Sequence, residues 1–316
     1  MPLLARGNIQ SALHPRGSDA DRIADLGIVM FIGGGAIFLT VIAFALLALF
    51  GPERVRRMLR QHAFIVGGGI VFPVAALSVL LVYALLTSAA LMRAGNPPAL
   101  RIDVTGEMWW WRVVYVDDAG RRIMETANEI RIAAGRPVEM RLTTADVIHS
   151  FWVPNLAGKT DMIPGHVNRQ RLVAHAPGVF RGECAEYCGA QHAKMAFEVV
   201  ALEPAAFDAW LASQARPAPS PVDALALRGR QAFFTHDCGK CHTIRGTEAT
   251  GTAGPDLTHV GSRLSLAAGI LPNSIGAFGG WIAASQHIKP GNEMPSFDRL
   301  SAEDLRALAA YMESLQ

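Results

Sequence analysis

The 316-residue chain has little net charge and few cysteines, and each of these features argues against some classes of function. Its 29 basic and 27 acidic residues leave a formal charge of +2, and no basic block is interleaved with aromatic side chains, which argues against nucleic-acid binding. The four cysteines stand in two short clusters with ligand-type spacing rather than spread out as a disulfide framework. We therefore expect all four to bind metals or a metal-containing cofactor.

Charge is missing altogether from two long apolar runs, at about residues 26–50 and 64–92. Each is long enough to cross a hydrocarbon core of ~30 Å, so we predict two transmembrane helices in contact with lipid. The loop between them, residues 51–62, contains four arginines and one glutamate, which the positive-inside bias places in the cytoplasm. Residues 1–25 and everything after residue 92 would then lie on the outer face. A cleaved signal peptide is a weaker alternative.

After the second run the pattern changes to alternating apolar and polar residues, beginning at Arg101-Ile-Asp-Val-Thr-Gly and broken by turns that contain Gly or Pro. Short strands at this spacing predict an antiparallel sandwich or barrel within residues 93–212. Residues 213–221 are rich in proline and predict a stiff linker. Residues 222–316 show a helical pattern, with a capping signature at Ser301 before the last helix.

One cysteine cluster combines thiol, imidazole and thioether groups: Cys184, Cys188, His192 and Met195 fall within a short segment. Thiolate and imidazole ligands with a weak thioether suit copper that exchanges one electron, and two thiolates can bridge two metals. A second imidazole would come from elsewhere, and His149, expected at the end of a strand, is the candidate. A structural zinc site, a disulfide or a redox-active thiol are the alternatives, although zinc has no use for the methionine.

The other cluster, Cys238-Gly-Lys-Cys241-His242, has the Cys-x-x-Cys-His spacing of covalently bound haem c, in which the imidazole binds iron. A thioredoxin-like redox pair is the alternative. Met294, in a loop before the last helix, is a better sixth ligand than Met312 on that helix. The other histidines of this region are expected on the surface, namely His236, His259 and His287.

Four motifs together resemble subunit II of haem–copper cytochrome c oxidases. They are Gly106-Glu-Met-Trp109-Trp110-Trp111, Asp146-Val-Ile-His149-Ser-Phe, Asp161-Met-Ile-Pro164-Gly and the copper loop from Cys184 to Met195. The C-terminal region resembles class I cytochromes c, so nearly the whole chain resembles oxidase subunits that carry a C-terminal cytochrome c extension. The implied fold is a transmembrane helix hairpin, an all-β cupredoxin-like Greek-key domain and an all-α class I cytochrome c domain.

The resemblance also implies a set of ligands for a dinuclear copper centre, CuA. Two bridging thiolates, one imidazole for each copper, a thioether and a main-chain carbonyl are implied at Cys184, Cys188, His149, His192, Met195 and Glu186. In the family, the carboxylate at the Glu186 position also reaches a magnesium or manganese ion at the interface with subunit I. An ordinary exposed acid is the alternative for that second role.

Further roles follow from the same resemblance. Trp109 matches the aromatic residue that receives electrons from soluble cytochrome c, with a plain packing role as its alternative, and Trp110 and Trp111 are expected to serve packing. Gly254-Pro255 resembles the turn whose proline carbonyl orients the imidazole corresponding to His242.

The implied function is electron transfer in the inner membrane of a bacterium, with both termini and the metal domains on the periplasmic face. Electrons would pass from a donor through haem c and CuA to the haem of subunit I, where oxygen is reduced to water and protons are translocated. Expected partners are subunit I, subunit III and a soluble or membrane-bound cytochrome c or other donor. A nitric-oxide reductase with a CuA subunit and a stand-alone membrane electron shuttle are the alternatives.

Overall fold

The computed structural model describes residues 9–92 and 100–316. These residues fall into two compact units, with residues 21–92 in one and residues 9–20 and 100–316 in the other.

The first unit is helical and apolar. Its helices, including one π-helical turn, are α1 (Ser18–Phe50), α2 (Glu53–Leu59), α3 (His62–Val66), the π-helical turn (Gly67–Val71) and α4 (Phe72–Met92). Two segments, Ser18–Phe50 and His62–Leu91, have mean hydropathies of 2.4 and 2.5 in their most apolar stretch. No residue of either stretch is buried inside the chain. A core helix of a soluble protein would be covered, so these helices anchor the chain in a membrane. Helix α1 begins at Ser18, earlier than the expected start of the span.

The second unit begins with two five-stranded sheets, in the orders β3-β2-β1-β5-β8 and β4-β10-β9-β6-β7. The strands are β1 (Arg101–Glu107), β2 (Trp110–Val116), β3 (Arg122–Ala127), β4 (Glu129–Ala133), β5 (Val138–Thr144), β6 (His149–Trp152), β7 (Thr160–Met162), β8 (Asn168–Leu172), β9 (Gly178–Cys184) and β10 (Ala196–Leu202). Helix α5 (Pro204–Gln214) follows them.

The two sheets share one core because alternate residues of the strands point inward. Trp111 of β2 meets Phe151 of β6 and Phe197 of β10 with ring centroids 6.0 and 5.0 Å away, and the two phenylalanines stack at 4.7 Å. Strands β6 and β7 contain only 4 and 3 residues, too few for an alternating pattern to stand out.

The C-terminal region contains three helices, α6 (Ala224–Thr235), α7 (Ile275–Ile288) and α8 (Ala302–Ser314), and a short hairpin of β11 (Ser265–Leu266) and β12 (Leu271–Pro272). The expected cap of α8 is present, since Ser301 Oγ accepts a hydrogen bond from the Asp304 amide at 3.0 Å. Helices α6 and α8 cross closely at Gly229, where a β-carbon would overlap the main chain of Ala307.

The helical region packs directly on the sheets. Leu264 N donates to Glu129 Oε2 at 2.7 Å, and Arg112 Nη2 donates to Thr252 O at 2.8 Å. The proline-rich segment is also fastened, because Arg245 Nη2 donates to Gln214 O at 2.6 Å.

The surface position expected for His259 is wrong. The side chain is 8% exposed, and its ring nitrogens lie 2.9 Å from Gln316 O and 3.1 Å from Arg216 O. The imidazole therefore joins the linker to the end of the chain, a role that its sequence neighbours do not indicate.

Candidate copper and haem sites

The first site lies where β6, β9 and the loop before β10 meet. Cys184 ends β9, and Phe151 of the neighbouring β6 pairs with it, which brings His149 within reach. The Cys184 and Cys188 sulfurs are 3.7 Å apart, His149 Nδ1 lies 3.8 Å from Cys184 Sγ, and His192 Nδ1 lies 3.6 Å from Cys188 Sγ. The sequence predicts His149 at the end of a strand, but it is the first residue of β6.

The two expected weak ligands join the same cluster. Met195 Sδ is 3.8 Å from Cys188 Sγ, and the main-chain oxygen of Glu186 is 3.1 Å from Cys184 Sγ. All six predicted donor groups are therefore brought together. Both cysteines are free and almost fully buried, so the sulfurs are positioned as ligands rather than joined in a disulfide.

The orientation of His149 is fixed from two sides. Its Nε2 donates to Asp146 Oδ1 at 2.7 Å, which leaves Nδ1 facing the sulfurs, a common arrangement for metal-binding imidazoles. Gly106 of β1 lies against the other side of the ring, where a β-carbon would sit 2.8 Å from His149 Cδ2. This close approach explains the glycine of the Gly-x-x-Trp motif.

The electrostatics of the sulfur pair favour a bound cation. A hydrogen bond from the Cys188 thiol holds the pKa of Cys184 well below its usual range, with a further contribution from His149. The resulting thiolate raises the pKa of Cys188. Two sulfurs this close titrate together, and a metal that binds both would displace their protons.

The second site is a cavity of about 320 Å³ in the helical region. All four predicted haem-binding residues line it, namely Cys238, Cys241, His242 and Met294. Met312 lines it too, but packs in the core of the helices at 5% exposure. The main chain of Met294 is held by two hydrogen bonds: its amide donates to Asn292 Oδ1 at 2.9 Å, and its carbonyl accepts from Ser285 Oγ at 2.8 Å.

The imidazole of His242 is oriented as expected. Its Nδ1 donates a hydrogen bond to the carbonyl oxygen of Pro255 at 2.8 Å, which leaves Nε2 free for a metal. Burial lowers the pKa of His242, which favours the neutral ring that iron requires. Gly254 makes room for the ring, since a β-carbon there would lie 2.5 Å from His242 Cε1.

Arg263 is a residue of this cavity that sequence reasoning missed. Its partly buried guanidinium lines the cavity, and burial lowers its pKa. Within the part of the chain that the structure describes, its Nε has no hydrogen-bond partner. Its Nη2 donates to the carbonyl oxygen of Asp256, so the unused Nε is the donor that remains for an anion, such as the propionate of a haem.

Comparisons with known proteins match both of the domains that contain these sites. Residues 102–202 match the family model described as cytochrome c oxidase subunit II, periplasmic domain, and residues 226–316 match cytochrome c. The chain is 35% identical over 319 residues to cytochrome c oxidase subunit 2 of Alkalihalophilus pseudofirmus, covering 97% of this chain and 91% of the relative. The chain belongs to the cytochrome c oxidase subunit II family.

Two further matches extend this comparison. Cytochrome c oxidase subunit 2 of Bacillus subtilis is 27% identical over 100% of this chain and 95% of its own length. The crystal structure of the periplasmic domain of subunit II from Bradyrhizobium japonicum matches 38% of this chain and 95% of its own at 30% identity, with a TM-score of 0.35.

The expected architecture is confirmed: two apolar helices, a cupredoxin-like β domain and a helical cytochrome c domain. Membership of the subunit II family implies copper, for which the His149, Cys184 and Cys188 cluster is available, and the cytochrome c domain implies haem c.

Trp109 lies between the copper loop and the haem cavity. Its Nε1 donates to the carbonyl oxygen of Cys188 at 2.8 Å, and its ring lines the cavity while only 8% exposed. Gly189, at φ +109°, and Gly291 flank the ring, with hypothetical β-carbons 3.2 and 3.5 Å from it. Trp110, expected only to pack, also lines the cavity.

The main-chain oxygen and the side-chain carboxylate of Glu186 lie in different surroundings. The main-chain oxygen faces the copper cluster, while the half-exposed carboxylate accepts a hydrogen bond from Lys159 Nζ at 3.2 Å. Lys159 is shared with Asp161 Oδ1, also at 3.2 Å. The carboxylate therefore retains acceptor capacity for a cation.

Proposed function

We propose that this subunit passes electrons from a donor through covalent haem c to dinuclear CuA, and on to the haem of subunit I for reduction of oxygen to water. The observation that carries the proposal is the position of Trp109. Its indole hydrogen-bonds the main chain of Cys188 and its ring lines the haem cavity, so one side chain touches both proposed cofactor sites.

The copper site would hold two ions. Each imidazole lies beside a different sulfur, His149 beside Cys184 and His192 beside Cys188, as expected if two bridging thiolates hold one copper at each end. Met195 and the Glu186 carbonyl would complete the two shells as weak ligands. A tetrahedral zinc site would leave part of this donor set unused. When bound, copper would supply reversible one-electron chemistry. Four of the proposed ligand side chains are buried, namely His149, Cys184, Cys188 and Met195, which leaves them little room to rearrange.

The haem site would use five side chains of this domain. Cys238 and Cys241 would form the two thioether links, His242 and Met294 would bind iron, and Arg263 would hold a propionate. Ligation by His and Met raises the potential of a haem, which suits donation to an oxidising chain.

The partners and the membrane orientation follow from the same proposal. The arginine-rich loop between the spans would lie in the cytoplasm, and both metal domains would face the periplasm of a bacterial cell membrane. The carboxylate of Glu186 would reach a magnesium or manganese ion where subunit I binds. Subunit III and a soluble or membrane-bound cytochrome c are the further proposed partners.

Two experiments test the proposal. Cys188→Ser in the purified complex should abolish the CuA optical and spin-resonance signals and leave the haem c spectrum unchanged; a full, unchanged copper signal would refute the ligand assignment. The intact complex should consume oxygen rather than nitric oxide. Consumption of nitric oxide alone would indicate the reductase, and recovery of this chain without any haem–copper subunit would indicate a shuttle.

A further inference from the structure

Lys289 is a buried lysine at the contact between the cytochrome c and cupredoxin domains. It directly follows α7 and is 3% exposed. Its Nζ donates to Trp109 O at 2.6 Å, Lys194 O at 2.8 Å and Ala267 O at 3.2 Å. The first two acceptors belong to the cupredoxin domain. Since an ammonium group has three donors, these three carbonyls account for all of them.

The residues on both sides of Lys289 extend this contact. Pro290 O accepts a hydrogen bond from Gln191 Nε2 at 2.8 Å, and Ile288 O accepts one from Lys194 Nζ at 2.9 Å. The segment that leads to Met294 is therefore bonded to the copper loop within a few residues of its proposed ligands.

The burial of this amine is costly, which argues against a role in packing alone. Burial and the neighbouring ammonium of Lys194 lower the pKa of Lys289 to about 7. A buried lysine commonly pairs with a carboxylate, but the partners here are main-chain oxygens from three separate segments. Two of the three acceptors, Trp109 O and Lys194 O, come within reach of Lys289 only when the domains are docked. The hydrogen bonds of the ammonium group therefore depend on the position of the main chain and not on a nearby charge.

We propose that Lys289 is a positioning residue that latches the cytochrome c domain onto the cupredoxin domain, with Trp109 held between haem and copper. This inference rests on the proposed electron path and adds a residue that holds the haem and copper sites in a fixed position relative to each other. The latch acts through the Trp109 carbonyl, on the main chain of the same residue whose indole bonds the copper loop.

Hydrogen exchange provides a direct test of docking. The Ala196 amide donates to Ala268 O at 3.1 Å across the domain contact, so its exchange requires the domains to separate. In the purified complex, Lys289→Met should leave the carbonyls unsatisfied and accelerate exchange of the peptide containing Ala196 about tenfold or more. Arg306→Gln, which removes a positive charge from the exposed face of α8, should not. Lys289→Gln should give an intermediate effect and decides the matter if the Met variant fails to load its cofactors.

Electron transfer gives the second readout. After photoreduction of haem c by a ruthenium complex, reduction of CuA should be slower in Lys289→Met than in the parent and should slow further with added glycerol, because the domain must dock again. The haem c and CuA spectra should be unchanged. Parent-like exchange at Ala196 in both Lys289 variants would overturn the latch. A parent protein in which haem c never reduces copper would instead overturn the proposed electron path, whatever the exchange result.

Discussion

Gly106→Ala tests how tightly the fold positions the imidazole of His149, a proposed copper ligand. A β-carbon at this position would lie 2.8 Å from Cδ2, 2.9 Å from Cγ and 3.2 Å from Cβ of His149, whereas non-bonded carbons prefer ~3.5–4.0 Å. The strand cannot easily withdraw, because Gly106 is paired with Trp111 on one side and Thr144 on the other. The ring must therefore move against its hydrogen bond to Asp146.

The size of the effect follows from the cost of overpacking. Adding a methyl group to a closely packed interior typically costs about 1–3 kcal/mol. If the displaced ring of His149 carries that cost, copper affinity should fall about 5-fold to 150-fold, since ~1.4 kcal/mol corresponds to a factor of ten. The haem site should be unaffected, because Gly106 does not line the haem cavity.

Copper titration against a competing chelator measures this directly, with the near-infrared CuA band as the signal and the haem c band as an internal standard. Gly280→Ala is the matched control, since nothing lies within 4 Å of its hypothetical β-carbon on the exposed side of α7. The control should bind copper as the parent does. Parent-like affinity in Gly106→Ala, with a normal haem signal, would refute the claim that close packing positions His149.

Three further substitutions address the same sites. Asp146→Asn should weaken copper binding about 10-fold to 100-fold in the same titration by removing the carboxylate that orients His149; parent-like affinity would contradict this role. Gly254→Ala should push the His242 ring away from its present position and increase the high-spin fraction in the visible spectrum, and a fully low-spin parent spectrum would count against it. Met294→Ala should open the sixth position of the iron and lower the haem potential in a redox titration, and a retained methionine-ligated spectrum would exclude this ligand.

Local spacing made most of each site predictable. Four of the proposed copper-ligating side chains occur in one short segment, and the Cys-x-x-Cys-His motif is the signature of covalently bound haem c. His149 lies far away in sequence, and only its motif indicated that it joins the cluster. The hydrogen bond between His242 and Pro255 O was likewise expected from a short pattern and is confirmed.

The contact between the domains could not be predicted in the same way. Lys289 and Arg245 bind main-chain carbonyls, and any residue can supply a carbonyl, so no pattern of side chains identifies the partners. Arg263 poses a related difficulty, because a single arginine in a loop gives no sign of lining a cavity. That Trp110 also lines the haem cavity could not be predicted either, because the cavity becomes evident only when the domains are docked.

The proline-rich linker gains a different meaning from this docking. A flexible tether would keep the haem domain near the copper by raising its effective concentration. Here Arg245 of the haem domain holds the carbonyl of Gln214, so the linker is fastened to the domain that it carries.

Just before the linker, Arg131 lies over the ring of Trp210 at 5.1 Å and donates to Ser262 O at 3.2 Å. Separation of the domains would therefore break this contact together with the bonds around Lys289, and each retained bond keeps the others close enough to re-form. We infer that a diffusive search between the domains does not limit transfer from haem c to copper in the parent protein.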